Sequence, residues 1–558
     1  MDDADQLKRD LSLLTRLSQE RTSWETHWRD IADYFLPRSL RTLCNERNQG
    51  NKRSSKILNS TTTRAARILA AGMFASITSP ARPWFSLTLA DRIMAKQQAV
   101  KEWLDDVTKI LRDILAGSNF YRSAPAMFRD LGTFGTHASI IDEDDQDVVR
   151  FYPLIVGSYW LACSERQAVD TLVRKYSMTV RQMANKFGID ACPQNVQNMH
   201  KDGKYEEWID GIVQVIGPNP DHNPNRLDSR HKRVRSVYFM ESNHNDQYLR
   251  KSGYDTFPGI APRWETNGED VYGTSPGMVA LPDARSLMVY EKRIAQAIEK
   301  KVNPPLIAPV ELENKGGVNP TPGATTFANV ANMDKIKSIY DAGAFQVEHA
   351  ANKAEQIKAD INASLYVDLF LMLINSDRRQ VTAEEIRAKQ EEKILALGEP
   401  LERLNEEALS PVIDRVFDIA SRRGMLPPPP REIQGMPITV EYVSVLHQVQ
   451  KMVALGQIDR LAQFVGGLAG VFPSVVDKFD ADQAVDEYAE ALGTSPRIVR
   501  SDEQVDEIRQ ARAQAQAQQQ AEVNSANLVQ GAKTLSETDT GGQNALTDLM
   551  RGMSTVSA

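Results

Sequence analysis

The sequence predicts an α+β protein that is mainly helical. Three observations carry that reading. Apolar side chains recur at helical spacing over roughly the first quarter of the chain. Between residues 148 and 264 the pattern shortens towards the period of strands. Beyond Pro276 long amphipathic helical stripes return.

Taken in order, Leu7, Leu11, Leu14 and Leu17, followed by Trp24, Trp28, Ile31 and Phe35, predict two helices over residues 4–35, ended by Pro37. A polar loop runs to Ser55. Residues 58–78, rich in Ala, Ile, Leu and Met, predict a third helix, and 95–132 two more, parted near Gly117–Asn119. Strands are expected at 148–151, 159–161, 169–176, 209–216, 233–241 and 258–264, with a short helix over Met178–Phe187 and a Pro/Asn loop at 217–230.

Ser275 and Pro276 are a helix start, Ser as N-cap and Pro at the first helical position. That helix runs to about Lys301, with Pro282 able to kink or restart it. Residues 303–343, rich in Pro, Gly, Asn and Thr, read as a small β excursion. One long helix is predicted from Gln346 to Asn375, with Val347, Ala351, Ala354, Ile357, Ile361, Leu365, Leu369 and Leu373 on one stripe. The polar loop SDRRQV follows, and Thr382 with Glu385 forms a capping box. Pro400 and Pro411 bend or divide the next helical run, which ends at Arg423. Four prolines at 427–430 make a stiff linker, 444–492 a smaller helical region, and the Ala/Gln-rich stretch a helix before a mobile tail of about 25 residues.

Composition narrows the function. The 558 residues are 41% hydrophobic and 25% charged, which excludes wholesale disorder. A net charge of −8 argues against a surface built to grip nucleic acid. Cys44, Cys163 and Cys192 are far apart, with no CxxC pair, and fit a reducing compartment. The polar start is unlike a signal peptide, and the apolar stretch Leu365–Ile374 is short and broken by Asp368, so no membrane association is expected.

Catalytic chemistry finds little support. GTSPG at 273–277 has the G-x-S-x-G spacing, but the residue after Ser275 is Pro276, which has no N–H for an oxyanion hole. Five acids in IDEDDQD at 141–147 lack EF-hand spacing and read as a solvated turn between strands. No HExxH motif occurs, and Gly203-Lys204 lacks the rest of a P-loop. Gly466, Gly467 and Gly470 read as turn or close-packing glycines. The expectation is a protein with no enzymatic activity, no cofactor and no metal.

The two helices 278–301 and 346–375 flank the β excursion and must run in opposite senses, making a finger. Its stripe, with Ile294, Ile298, Ile357, Ile361 and Leu365, is expected to be buried by neighbouring copies of the chain. Segment 278–376 holds 10 basic and 11 acidic residues and is not a basic patch as a whole.

Several segments then combine. They are W-x3-W-x2-IADYFLP at Trp24–Pro37, TTTRAARILAAGMFASITSPARPWF at 61–85, FGTHAS at 134–139, YGTSP at 272–276 and VTAEEI at 381–386. In this order and spacing the chain resembles the head-to-tail connector, or portal, proteins of short-tailed double-stranded DNA bacteriophages, from about Leu11 to Arg512. It departs from them at Thr274, where a basic residue is expected, and at Gln167-Ala168, where the turn commonly holds a Gly.

The resemblance implies a portal fold of wing, stem, clip and crown, assembled as a ring, usually a dodecamer, around a central channel. On it, 1–277 is the wing, 278–302 and 344–375 the stem helices, 303–343 the clip and 376–381 the channel loop. Residues 382–426 return to the wing, 431–500 form the crown, and 501–558 a C-terminal segment able to extend as a barrel helix before its mobile tail. The implied function is the vertex channel for DNA packaging and ejection. Implied partners are double-stranded DNA, the large terminase subunit, tail adaptors, and capsid and scaffolding proteins, in the virion and, during assembly, the host cytoplasm. Ser376, Asp377, Arg378, Arg379 and Gln380 become the DNA-contacting loop, and Lys292, Lys300, Lys301, Lys353 and Lys358 candidate lumen-facing stem cations. A bland alternative pairs Arg378 or Arg379 with Glu384 or Glu385. Two other functions stay open, a different tail adaptor ring and a metal-dependent nuclease using the acids at 142–147.

Overall fold

The computed structural model describes residues 3–39, 56–95, 97–226, 228–242, 247–302, 306–307, 337–338, 347–375, 398–442, 458–470, 472–492, 498–500 and 502–537. The chain divides into two compact units. The larger comprises 1–88, 106–429 and 436–452, the smaller 89–105, 430–435 and 453–558.

The chain opens with helices α1 (Asp3–Glu20), α2 (Thr22–Tyr34) and α3 (Thr61–Ile77), then strand β1 (Phe85–Leu89). Helices α4 (Arg92–Ala95), α5 (Gln98–Gly117) and α6 (Phe120–Phe134) follow. A first sheet has the order β3-β2-β9, from β2 (Ala138–Asp144), β3 (Val148–Leu154) and β9 (Gly259–Ile260). A second, antiparallel throughout, has the order β4-β5-β6-β7-β8, from β4 (Tyr159–Cys163), β5 (Val169–Thr179), β6 (Trp208–Pro218), β7 (Val234–Met240) and β8 (Arg250–Tyr254). Helices α7 (Val180–Phe187) and α8 (Gln194–Lys201) lie between β5 and β6. The strands β2 and β8 and the helix α8 lack a clean apolar period, and the sequence reading passed them over.

The period-two pattern of β6, shifted by one residue at a bulge where its residues 209–212 oppose 176–178 and Gly211 has φ +81°, decides which side each layer covers. Val213 and Val215 pack with Leu7, Leu14 and Leu17 of α1, while Ile209 and Ile212 pack with Val180, Met183 and Val196 of α7 and α8. Asp10, buried on α1, is held by Arg235 and by the Tyr248 hydroxyl at 2.8 Å.

Past the sheets come α9 (Pro276–Val279) and α10 (Leu281–Val302). Ser275 caps α9 as expected, accepting from the Met278 N–H, and the helix restarts just before Pro282. Strands β10 (Leu306–Ile307) and β11 (Lys337–Ser338) pair antiparallel, so the excursion begins and ends as β structure; most of 303–343 lies outside the described residues.

The single long helix of the sequence reading is instead two, α11 (Val347–Ser364) and α12 (Val367–Asn375). Tyr366 adopts φ +54°, a left-handed conformation that breaks the hydrogen-bond ladder. Next are α13 (Gly398–Leu404), a π turn over Asn405–Leu409, and α14 (Ser410–Arg422). The π turn is how Pro411 divides the run. Pro411 has no N–H for the Glu407 carbonyl, and the wider turn, closed by Ser410 N–H to Asn405 O, clears its ring. Strand β12 (Ile438–Tyr442), also missed from sequence, pairs with β1.

The smaller unit contains helices α15 (458–469), α16 (Ala481–Leu492) and α17 (Asp502–Glu537), which agrees with the helical regions expected there. Gly466 and Gly467 stand inside α15 with open space around them, so they are neither turn nor close-packing glycines. Among the described residues no helix is long and apolar enough to cross a membrane.

Candidate functional site

The finger is built from α10 and α11, which pack side by side. Lys358 of α11 reaches Glu291 of α10 at 3.2 Å, while the ends nearest β10 and β11 are Val302 and Val347, so the helices run antiparallel. Ala354, Ile357, Ile361 and Leu365 are buried, and the layer is closed within the chain by α10 and α3. This corrects the expectation that only neighbouring copies could cover the stripe. The α10 side differs: Ile294 is half-buried, Ile298 is 48% exposed, and Val289 and Val302 are more exposed still.

The base of the finger is pinned. Arg285 pairs with Asp30 at 2.7 Å, the Asn59 amide donates to Glu291 at 2.6 Å, and the Met288 sulfur accepts the Leu58 backbone N–H at 3.2 Å. Gly72 on α3 lets Phe370 of α12 approach so closely that a Cβ there would meet the ring at 2.2 Å. Lys292, Lys300, Lys301 and Lys353 are exposed. Lys358 is held between Glu355, at 2.9 Å, and Glu291, and the hydrogen bond to Glu355 is the main cause of its raised pKa. Residues Ser376, Asp377, Arg378, Arg379 and Gln380, and the Thr382–Glu385 box, lie outside the described residues.

Four of the segments singled out in the sequence meet in the body. The Trp28 indole N–H donates to the Phe134 carbonyl, and its ring stands edge-on to Tyr272 at 5.1 Å. Gly273 N–H donates to the Thr136 hydroxyl at 2.8 Å, and the Ser275 hydroxyl to the Thr133 carbonyl at 2.7 Å. Leu69 of α3 lies against Gly132. Gly135 has φ +77°, and a Cβ on it would stand 2.1 Å from the Gly273 carbonyl oxygen. Gly135→Ala is therefore expected to cost about 2–4 kcal/mol, from left-handed strain and a backbone clash. Gly203→Ala, at φ +74° with open space around it, is expected to cost only about 1 kcal/mol. Urea unfolding of both variants checks this.

A second anchor was invisible in the sequence. Arg263, 4% exposed, donates from Nη2 to Glu407 Oε1 at 2.6 Å and to the Gln167 carbonyl at 2.8 Å, and its backbone N–H meets Glu407 Oε2 at 2.9 Å. Burial pulls the Arg263 pKa down, but the hydrogen bonds and charge of Glu407 outweigh it and leave it raised. Gln167 has φ +59°, the conformation for which a glycine is expected at this turn.

Several arrangements with the look of chemistry have other work. Ser275 is buried and spends its hydroxyl on the cap and on Thr133. Asp130, His137 and Ser139 form a chain of contacts of 2.9 and 2.6 Å, but each is under 5% exposed, so no substrate reaches the serine. The acidic segment is a turn only at 145–147, since Asp142, Glu143 and Asp144 pair with β3 as the end of β2; Asp142 accepts from the Tyr254 hydroxyl, Glu143 pairs with Arg422 and Arg423, and Asp145 pairs with Arg423. Arg423, just past α14, and Arg422, its last residue, hold Glu143 below the usual carboxylate range, with the Arg423 hydrogen bond the largest cause.

Comparison with known proteins matches residues 8–499 to the family model described as bacteriophage head to tail connecting protein. This chain belongs to that head-to-tail connector family. A portal protein of Salmonella phage epsilon15 is 45% identical over 540 residues, 96% of each chain. A probable portal protein of Bordetella phage BPP-1 is 42% identical over 558 residues, 99% of each.

Proposed function

We propose that this chain is a phage portal subunit, working as a ring at the capsid vertex through which double-stranded DNA is packaged and later ejected. The observation that carries this is similarity along nearly the whole chain to a portal protein, not to one detachable domain. The finger supports it. One flank is closed inside the chain, while α10 leaves Val289, Ile298 and Val302 uncovered beside exposed lysines, as a part does that packs against a neighbouring copy.

In this reading 1–277 and 382–426 make the wing, α10 with α11 and α12 the stem, 303–343 the clip, 431–500 the crown and 501–558 a barrel extension. The clip meets the large terminase subunit and later tail adaptors, and the wing meets capsid and scaffolding proteins. Twelve copies are the expected number. Energy comes from the terminase, so the portal itself needs no catalytic step. A net charge of −8 per copy keeps the DNA from adhering along the channel, while Lys292, Lys300, Lys301 and Lys353 and the loop 376–380 steer it at discrete heights.

Replacing Arg378 and Arg379 together by Ala is expected to leave rings intact by electron microscopy, because neither belongs to the stem stripe. Full-length packaging or retention of packaged DNA should fall. Wild-type packaging, retention and ejection would remove the loop from the account, and a wild-type protein that stays monomeric at micromolar concentration would overturn the ring.

A further inference from the structure

The segment joining β9 to α9 carries two adjacent groups that can react with each other. Asn267 and Gly268 are both exposed, and Asn267 is the one asparagine in the sequence that a glycine follows. The segment is fastened on either side of them. Thr274 N–H donates to the Glu265 carbonyl at 2.7 Å, and Arg263 Nη1 donates to the Asp270 carbonyl at 3.4 Å. Between these points a turn closes from Asp270 N–H to the Asn267 carbonyl at 3.1 Å, with Gly268 at φ +56° and open space where a Cβ would stand. Among the described residues neither the Asn267 carboxamide nor the Gly268 N–H has a hydrogen-bond partner. Asn59, Asn119 and Asn219, by contrast, spend their carboxamides on Glu291, Phe151 and the carbonyls of Arg230 and Lys232. Rotation about the Asn267 Cα–C bond brings the Gly268 nitrogen towards the side-chain carbonyl carbon and gives up only the exposed turn hydrogen bond. Glycine has no Cβ to obstruct that approach.

We propose that Asn267–Gly268 is a site of self-modification, deamidating through a succinimide with water as the co-reactant. Solvent base takes the Gly268 amide proton, and the nitrogen attacks the Asn267 side-chain carbonyl carbon. The bond from that carbon to the side-chain nitrogen breaks, and ammonia leaves with a proton from water. Water then opens the ring at either carbonyl. One opening leaves aspartate, and the other leaves isoaspartate, whose main chain runs through the former side chain. Either product adds a negative charge beside Glu265, Glu269 and Asp270. Isoaspartate also lengthens the main chain inside a turn that is fastened on both sides. The site lies away from the finger and does not depend on the portal reading.

The test incubates the intact full-length protein at pH values from 6 to 9 and maps its peptides by mass spectrometry. Deamidation adds about 1 Da, and electron-transfer fragmentation separates isoaspartate from aspartate. Asn267 should convert at least about tenfold faster than Asn225, which is also exposed but is followed by Arg226. Isoaspartate should be in excess, and the rate should climb with pH because the attacking nitrogen must first lose its proton. Gly268→Ala has room for its methyl group, so the fold should be kept, as circular dichroism checks, while conversion slows by about tenfold. Conversion of Asn267 no faster than that of Asn225, aspartate without isoaspartate, or an unchanged rate in Gly268→Ala overturns the proposal.

Discussion

Glu407→Ala is expected to destabilise the larger unit by about 3–5 kcal/mol, because it strands the Arg263 guanidinium, whose side chain is 4% exposed. Glu407 also accepts the Arg263 backbone N–H, so the variant leaves two buried donor groups short of a partner. Replacing both residues by apolar side chains of similar volume should cost less than the single change, since no buried charge then remains. Denaturant unfolding followed by tryptophan fluorescence measures both. A single-variant loss below about 1 kcal/mol would mean that water reaches the pair as it does a surface ion pair.

Ile361→Asp is expected to cost about 4–5 kcal/mol and to lower the yield of folded chain before any question of assembly arises. Ile361 is fully buried, with its partners on α10 and α3 of the same chain, so the new carboxyl group has no route to water. The sequence alone suggested that neighbouring copies bury this stripe, in which case a charge on it would act on the ring more than on the fold of the chain. Ile298→Asp makes the contrast. Ile298 is 48% exposed, so chain stability should change by no more than about 0.5 kcal/mol. Ring yield by light scattering should fall if α10 packs against a neighbour. Equal stability of the two variants would show that the α11 stripe is not held from within.

What the sequence disclosed and what it concealed have physical causes. Helices with a strong apolar period, α1, α3, α6 and α10, were legible within a few residues, and so was the Ser275 cap, because periodicity and capping are local. The break at Tyr366 was not, since neither Pro nor Gly marks it and the stripe runs on through Leu365 and Leu369 into α12. Strand β8, RKSGY, has no alternation to read because its residues are only partly buried. Of the candidate site, the antiparallel finger was legible from two amphipathic runs around a Pro/Gly-rich stretch. Arg263 and Glu407 were not, because they stand 144 positions apart and each alone looks like an ordinary surface residue. A signal did exist for the meeting of Gly135 with Gly273. Each glycine sits inside a motif whose order and spacing carried the resemblance, and close backbone approach explains why a side chain is excluded there.

The π turn at Asn405–Leu409 fixes where this chain can change length. Such a turn amounts to an α-helix with one residue inserted, and each residue rotates a helix by about 100°. Deleting one residue from 405–409 would remove the wide turn and set the Pro411 ring against the carbonyl four residues before it. It would also swing α13 about a quarter-turn relative to α14, taking the buried Leu401 and Leu404 out of the core and Glu407 away from Arg263. Related chains should therefore keep a constant count from Leu401 to Pro411, so that the turn serves as a counting origin for the helices on either side of it.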